Sequence, residues 1–107
     1  MKVHVKKVID NELALTTSSA QTLYNQISKI DPGNLVISFE GIRRVSSLFL
    51  NNSIGLYIIN FGTLEIDSII IPKTDSLMKS KIEEVINNAA NWEEYNHLVE
   101  NASNNSF

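Results

Sequence analysis

The run Leu35-Val36-Ile37-Ser38-Phe39 constrains the fold more than any other part of the chain. It is short, apolar and partly β-branched. Turn formers close both ends, Asp31-Pro32-Gly33-Asn34 before it and Glu40-Gly41 after it. A segment of that length, bounded in that way, reads as a central strand rather than a stretch of helix. Its neighbours carry the helical period instead. Leu23, Ile27 and Ile30 share one face of a helix that starts within Thr16 to Ser19, where Ser18 and Gln21 have capping-box spacing, and runs to about Ile30. After the strand, about Ser47 to Phe61 is apolar over most of its surface, which predicts a largely buried helix closed by Gly62. Gly55 inside it costs up to about 1 kcal/mol against alanine and hints at a close backbone approach.

The same reading extends to both ends. Val3, Val5 and Val8-Ile9 give a weak strand, with Leu13-Ala14-Leu15 as a partner for it. Leu64 to Ile71 reads as another strand, stopped by Pro72. A further helix begins near Asp75 and carries Met78, Ile82, Val85 and Ile86 at helical spacing. Trp92, Tyr95, Leu98 and Val99 continue that helix or form a last one. No internal repeat or linker interrupts the order, so residues 1–102 are predicted as one domain and 103–107 as a flexible C-terminal tail. Strands alternating with helices favour an α/β sandwich: a small mixed, mostly parallel sheet with helices packed mainly on one face, its N-terminal strand a candidate for antiparallel pairing.

Several function classes are set aside by what the 107 residues lack. There is no cysteine, which removes disulfides, thiol catalysis and thiolate metal sites. The net charge of −3 supplies no basic face for nucleic acid. Lys6, Lys7 and Asp10 break up any signal-peptide core, and Ile54 to Ile59 is far too short to span a membrane, so a cytoplasmic chain is expected. No Gly-rich Lys-Ser/Thr loop points to a P-loop nucleotide site. His4 and His97 are too distant in sequence for a local ligand motif. The pairs Glu83-Glu84 and Glu93-Glu94 are adjacent on helices, where neighbours diverge by roughly 100°, a poor geometry for a carboxylate dyad. Without a nucleophile–base–orienter set, the expectation is a non-enzymatic protein with no metal and no cofactor.

What remains is the handover from strand to helix. Ser46 and Ser47 stand at the start of the buried helix, after the Arg43-Arg44 turn. One use of Ser46 is as the N-cap, accepting from the backbone N–H of Leu48 or Phe49. Ser47 is a candidate phosphoacceptor. A phosphate there adds about −1.5 to −2 charges at a helix N-terminus, where the dipole and free N–H groups tolerate it, while a docked protein would not. Arg43 and Arg44 serve as a solvated turn or as partners for an anion. Asn51 lies one helical turn from Ser47, and with Asn52 and Ser53 it forms either a docking patch or ordinary solvent-facing surface.

The same residues carry a family likeness. An apolar strand, then Phe39-Glu40-Gly41-Ile42, then Val45-Ser46-Ser47-Leu48-Phe49, resembles the bacterial STAS-like domains described as DUF4325, related to the STAS fold of sulfate transporters and anti-sigma-factor antagonists. The likeness is dense over about Leu35 to Gly55 and topological elsewhere. It implies a STAS-like sandwich and a regulatory, signalling role by protein binding. The implied partner is a histidine-kinase-like ATPase or an anti-sigma-type regulator. On that alignment Ser46 takes the position of an aspartate and Ser47 that of the regulated serine, so both are phosphoacceptor candidates. Arg43, Arg44, Phe49, Asn51 and Asn52 are the candidate partner-binding residues. The alternative is a small-ligand sensor that holds a nucleotide or other anion at the helix start and the arginines. A homodimer through the acidic C-terminal helix is a further expectation, since amphipathic helices serve as docking elements.

Overall fold

In the computed structural model, which describes residues 1–91, three short strands lie side by side and parallel. β3 (Val36–Ser38) is central, between β1 (Lys2–His4) and β5 (Ile69–Ile70). The register aligns Val3, Ile37 and Ile69 in one row, and Leu35 and Phe39 extend that row along the central strand. All of these are buried. On the opposite face Lys2, His4, Val36 and Ile70 are exposed or half-buried, so the helices cover mainly one side. A separate two-stranded parallel ladder pairs β2 (Leu13–Ala14) with β4 (Arg44–Val45).

The N-terminal part departs from expectation. The first strand is parallel, not antiparallel, and stops at His4. Val5, Val8 and Ile9 are spaced i, i+3, i+4, and they form the helical turn α1 (Val5–Ile9), ended by Asp10 in the left-handed conformation at φ 52°. Leu13-Ala14 therefore partners β4 rather than the first strand. Helix α2 (Thr17–Ile27) is capped by Thr16, whose Oγ1 accepts the Ser19 N–H at 3.1 Å, and not by Ser18. It ends at Ile27, with Ile30 packed half-buried against the core. The strand expected over Leu64 to Ile71 shrinks to two residues, because Asp67-Ser68 sits in a 3-10 turn, Ile66–Ser68, closed by the Ser68 N–H on the Glu65 carbonyl at 2.9 Å.

The central helix matches expectation in extent. α3 (Ser47–Leu50) runs through a wide π turn, Asn51–Gly55, into α4 (Leu56–Phe61), and Gly62 ends it at φ 132°. Side chains occupy carbonyls at the wide turn. Asn52 Nδ2 donates to the Leu48 carbonyl and Ser53 Oγ to the Phe49 carbonyl, each at 2.8 Å, while the Leu56 N–H bonds back to Asn51. Ser53 is consequently buried and belongs to no surface patch. Helix α5 (Ser76–Ala90) starts where Asp75 accepts the Met78 N–H at 2.9 Å, and it buries Met78, Ile82, Val85 and Ile86. A Cβ on Gly55 would meet Val85 Cγ1 and the Leu50 carbonyl at 3.5 Å, ordinary contact distances, so the approach to α5 does not demand glycine. The stripe Trp92, Tyr95, Leu98 and Val99, with the tail 103–107 and the dimer helix expected there, lies outside the described residues. Among the described residues no helix is long and apolar enough to cross a membrane.

Packing explains why this helical rod dominates. Phe49, Leu50, Ile54 and Tyr57 are fully buried against Leu23 and Ile27 of α2 and Ile82 of α5. Each such side chain contributes roughly 1.5–3 kcal/mol by leaving water. The Tyr57 hydroxyl, a polar atom in this apolar setting, donates to the Ile30 carbonyl at 2.6 Å. Burial raises the Tyr57 pKa and the Asp31 carboxylate adds to the rise. The folded phenol therefore holds its proton to higher pH than the unfolded one. Its stabilising contribution is complete below about pH 10 and is lost as pH climbs through the raised folded value. Alkaline thermal melts should show this loss, and Tyr57→Phe should make it smaller while costing about 1 kcal/mol at neutral pH through the lost hydrogen bond. Gly55→Ala should stabilise the chain by about 0.5–1 kcal/mol in denaturant titrations, because the helix loses a flexible residue and the methyl fits.

Candidate functional site

Ser46 is held from three directions. Its N–H donates to the Ala14 carbonyl at 3.0 Å, its Oγ accepts the Phe49 N–H at 3.0 Å, and the same hydroxyl donates to the Leu15 carbonyl at 3.1 Å. The capping role read from sequence is present, with Phe49 as the donor. The tie to Leu15 was not legible, because it links residues 31 apart. Ser47 follows as the first helical residue, exposed, with no part in the cap. The two hydroxyls thus have separate situations: one is committed to the fold, and the other makes no hydrogen bond among the described residues.

The remaining candidates divide in the same way. Arg43, Arg44 and Asn51 are exposed, as a docking surface requires. Phe49 is not: its ring is 0% exposed and belongs to the core, which corrects its assignment as a partner-binding residue. Leu48 takes its place on the outside, at 53% exposure. Asn52 is half-buried and its amide is occupied by the Leu48 carbonyl, so it offers little to a partner. The turn that delivers the arginines depends on Gly41 at φ 82°, a conformation side chains disfavour. The Arg43 N–H bonds the Glu12 carbonyl at 2.8 Å, and its guanidinium lies 3.8 Å from the Glu12 carboxylate, which Lys6 also approaches at 3.7 Å. Pairs this exposed contribute little stability.

Helix α5 completes the surroundings. Lys81 Nζ donates to the Val45 carbonyl at 3.1 Å, so a cation from α5 bridges onto the backbone just before the serines. Between the β4–α3 turn and the first turns of α5 lies an open cleft of about 460 Å³, with Leu15, Arg44 and Ser46 on one wall and Asp75, Leu77 and Lys81 on the other. Sequence reasoning missed Leu15, Leu77 and Lys81. No local spacing could have revealed them, since the bridge from Lys81 to Val45 spans 36 residues. Among the described residues no three His, Asp or Glu side chains gather to hold a metal ion.

The family model described as a STAS-like domain of unknown function, DUF4325, matches residues 19–79. The chain belongs to this family. No curated protein and no solved structure matches it. The matched span contains β3, β4, the whole rod and the start of α5, and therefore the serines and arginines. Leu15 and Lys81, which close the cleft from either wall, fall outside it.

The two serines of this STAS-like domain should respond differently to alanine. Ser46→Ala removes the cap and leaves the Leu15 carbonyl without its donor, and it should cost about 1–2 kcal/mol. Ser47→Ala should change stability by less than about 0.5 kcal/mol. Equilibrium denaturation of both variants checks the contrast.

Proposed function

We propose that this STAS-like domain is a non-enzymatic, cytoplasmic regulatory module that works by binding another protein through the start of α3, and that phosphorylation of Ser47 releases the partner. The observation that carries the reading is the separation of the serines. Ser46 secures the helix start, so Ser47 can gain or lose a phosphate without disturbing the cap. The docking surface consists of Arg43, Arg44, Ser47, Leu48 and Asn51. The family likeness supports a histidine-kinase-like ATPase or an anti-sigma-type regulator as partner and kinase.

The switch follows from charge. The Ser47 hydroxyl oxygen attacks the γ-phosphorus of ATP bound to the kinase; the new O–P bond forms as the bond to the bridging oxygen breaks. ADP leaves, and the hydroxyl proton passes to a base on the kinase. The domain then carries about −1.5 to −2 extra charges at the first position of a helix. The helix dipole and free N–H groups accept them, whereas an interface must desolvate or pair them.

A photo-crosslinking residue at Leu48, introduced in the full chain in its own cells, tests this reading. A crosslinked partner is expected, reduced about tenfold in Ser47→Asp, equivalent to about 1.4 kcal/mol, with the melting temperature nearly unchanged. No crosslink, or one indifferent to Ser47→Asp, would remove the proposal. Peptide mapping of the chain from the same cells should find phosphate on Ser47 and none on Ser46.

A further inference from the structure

We infer that the cleft between the β4–α3 turn and α5 docks an acidic, amphipathic segment of the partner protein. This rests on the protein-binding reading above and names the chemistry of what binds. Two features of the cleft point the same way.

The first is charge. Arg43, Arg44 and Lys81 line the cleft, against a single lining carboxylate, Asp75, one of whose oxygens accepts the Met78 N–H. Glu12 approaches Arg43 from outside, but among the described residues neither Arg44 nor Lys81 forms an ion pair. Two helices also begin here, since Ser46 and Asp75 are the N-caps of α3 and α5 and both line the cleft. The positive dipole end of the rod adds to the cations beside Ser46, whereas Asp75 offsets that of α5. The second feature is apolar. Leu77 is 66% exposed and Leu15 38%, on opposite walls. Leucines facing solvent around a basic cleft do nothing for a hydrated inorganic phosphate. They suit the apolar stripe of a peptide whose carboxylates reach Arg44 and Lys81.

The occupant's charge also fixes the direction of the switch. Ser47 follows directly on Ser46, which lines the cleft, so a phosphate there would add negative charge beside the cleft and weaken the binding of carboxylates without moving the fold. A basic partner would be drawn in by the same modification.

The test is a fluorescence anisotropy titration of the full chain with two labelled synthetic helical peptides, one with glutamate on its polar face and leucine on the other, the second with every glutamate replaced by lysine. The acidic peptide should bind at least about tenfold more tightly than the basic one. Its affinity should fall by a similar factor in Arg44→Glu and in Leu77→Ser, two exposed positions that leave the fold intact by circular dichroism, and should weaken in Ser47→Asp. Ile59→Ser, an exposed apolar position on α4, should change nothing. Equal affinity for the two peptides, no binding of the acidic one, or indifference to both cleft substitutions would overturn the inference. So would displacement by inorganic phosphate at constant ionic strength, which would make the cleft a small-anion site, or light scattering that shows a second copy occupying it. A Leu48 crosslink that persists while the titration fails removes the acidic segment alone. A missing crosslink removes the protein-binding reading and the occupant with it.

Discussion

The hydrogen bonds of Ser46 are the junction on which the arrangement depends. One residue joins β2 to the end of β4 and both to the first turn of the buried rod. The rod brings Phe49, Leu50, Ile54 and Tyr57 into the core, and those side chains bury their full surface only if its start is held in place. A cap alone would secure the helix but not its direction. The donation to the Leu15 carbonyl supplies the direction, and the Lys81 bridge to Val45 secures the same turn from α5. With the backbone fixed on both sides, the neighbouring Ser47 and Leu48 are presented outward on a rigid base.

That rigidity is compatible with a wide turn immediately downstream. At this turn the backbone ladder widens around the Leu48 and Phe49 carbonyls. The π turn admits Asn52 and Ser53 there and satisfies them. No buried side-chain polar atom among the described residues is left without a partner. The proposed docking surface is therefore confined to the first turn of the rod and the arginines before it, and does not extend along the helix toward Asn52 and Ser53.

Much of this was visible in the residues. Turn formers on both sides of Leu35 to Phe39 defined the central strand, and the apolar stretch from Ser47 to Phe61 defined the rod with its closing glycine. Ser46 and Asp75 could be recognised at helix starts because a capping side chain acts over three residues. What stayed hidden had physical reasons. Val5 to Ile9 is too short for its period to be told from a strand, with lysines between the valines. Leu48 and Phe49 are both apolar, and only the packing of the rod between α2 and α5 decides that Phe49 points inward. The pairing of β2 with β4 and the walls of the cleft are contacts between distant segments, which leave no local trace.

The brevity of the strands has a consequence for the order of assembly. Each ladder holds two or three residues, and parallel pairing joins positions about thirty apart in the chain, Lys2 with Val36 and Ile37 with Ile69. So few interstrand bonds cannot offset the entropy of closing such loops by themselves. The helices must collapse first, with the rod lodged between α2 and α5, before β1 and β5 can find β3. In this chain the sheet is a product of helix packing, and its register is inherited from the helices that bring the strands together.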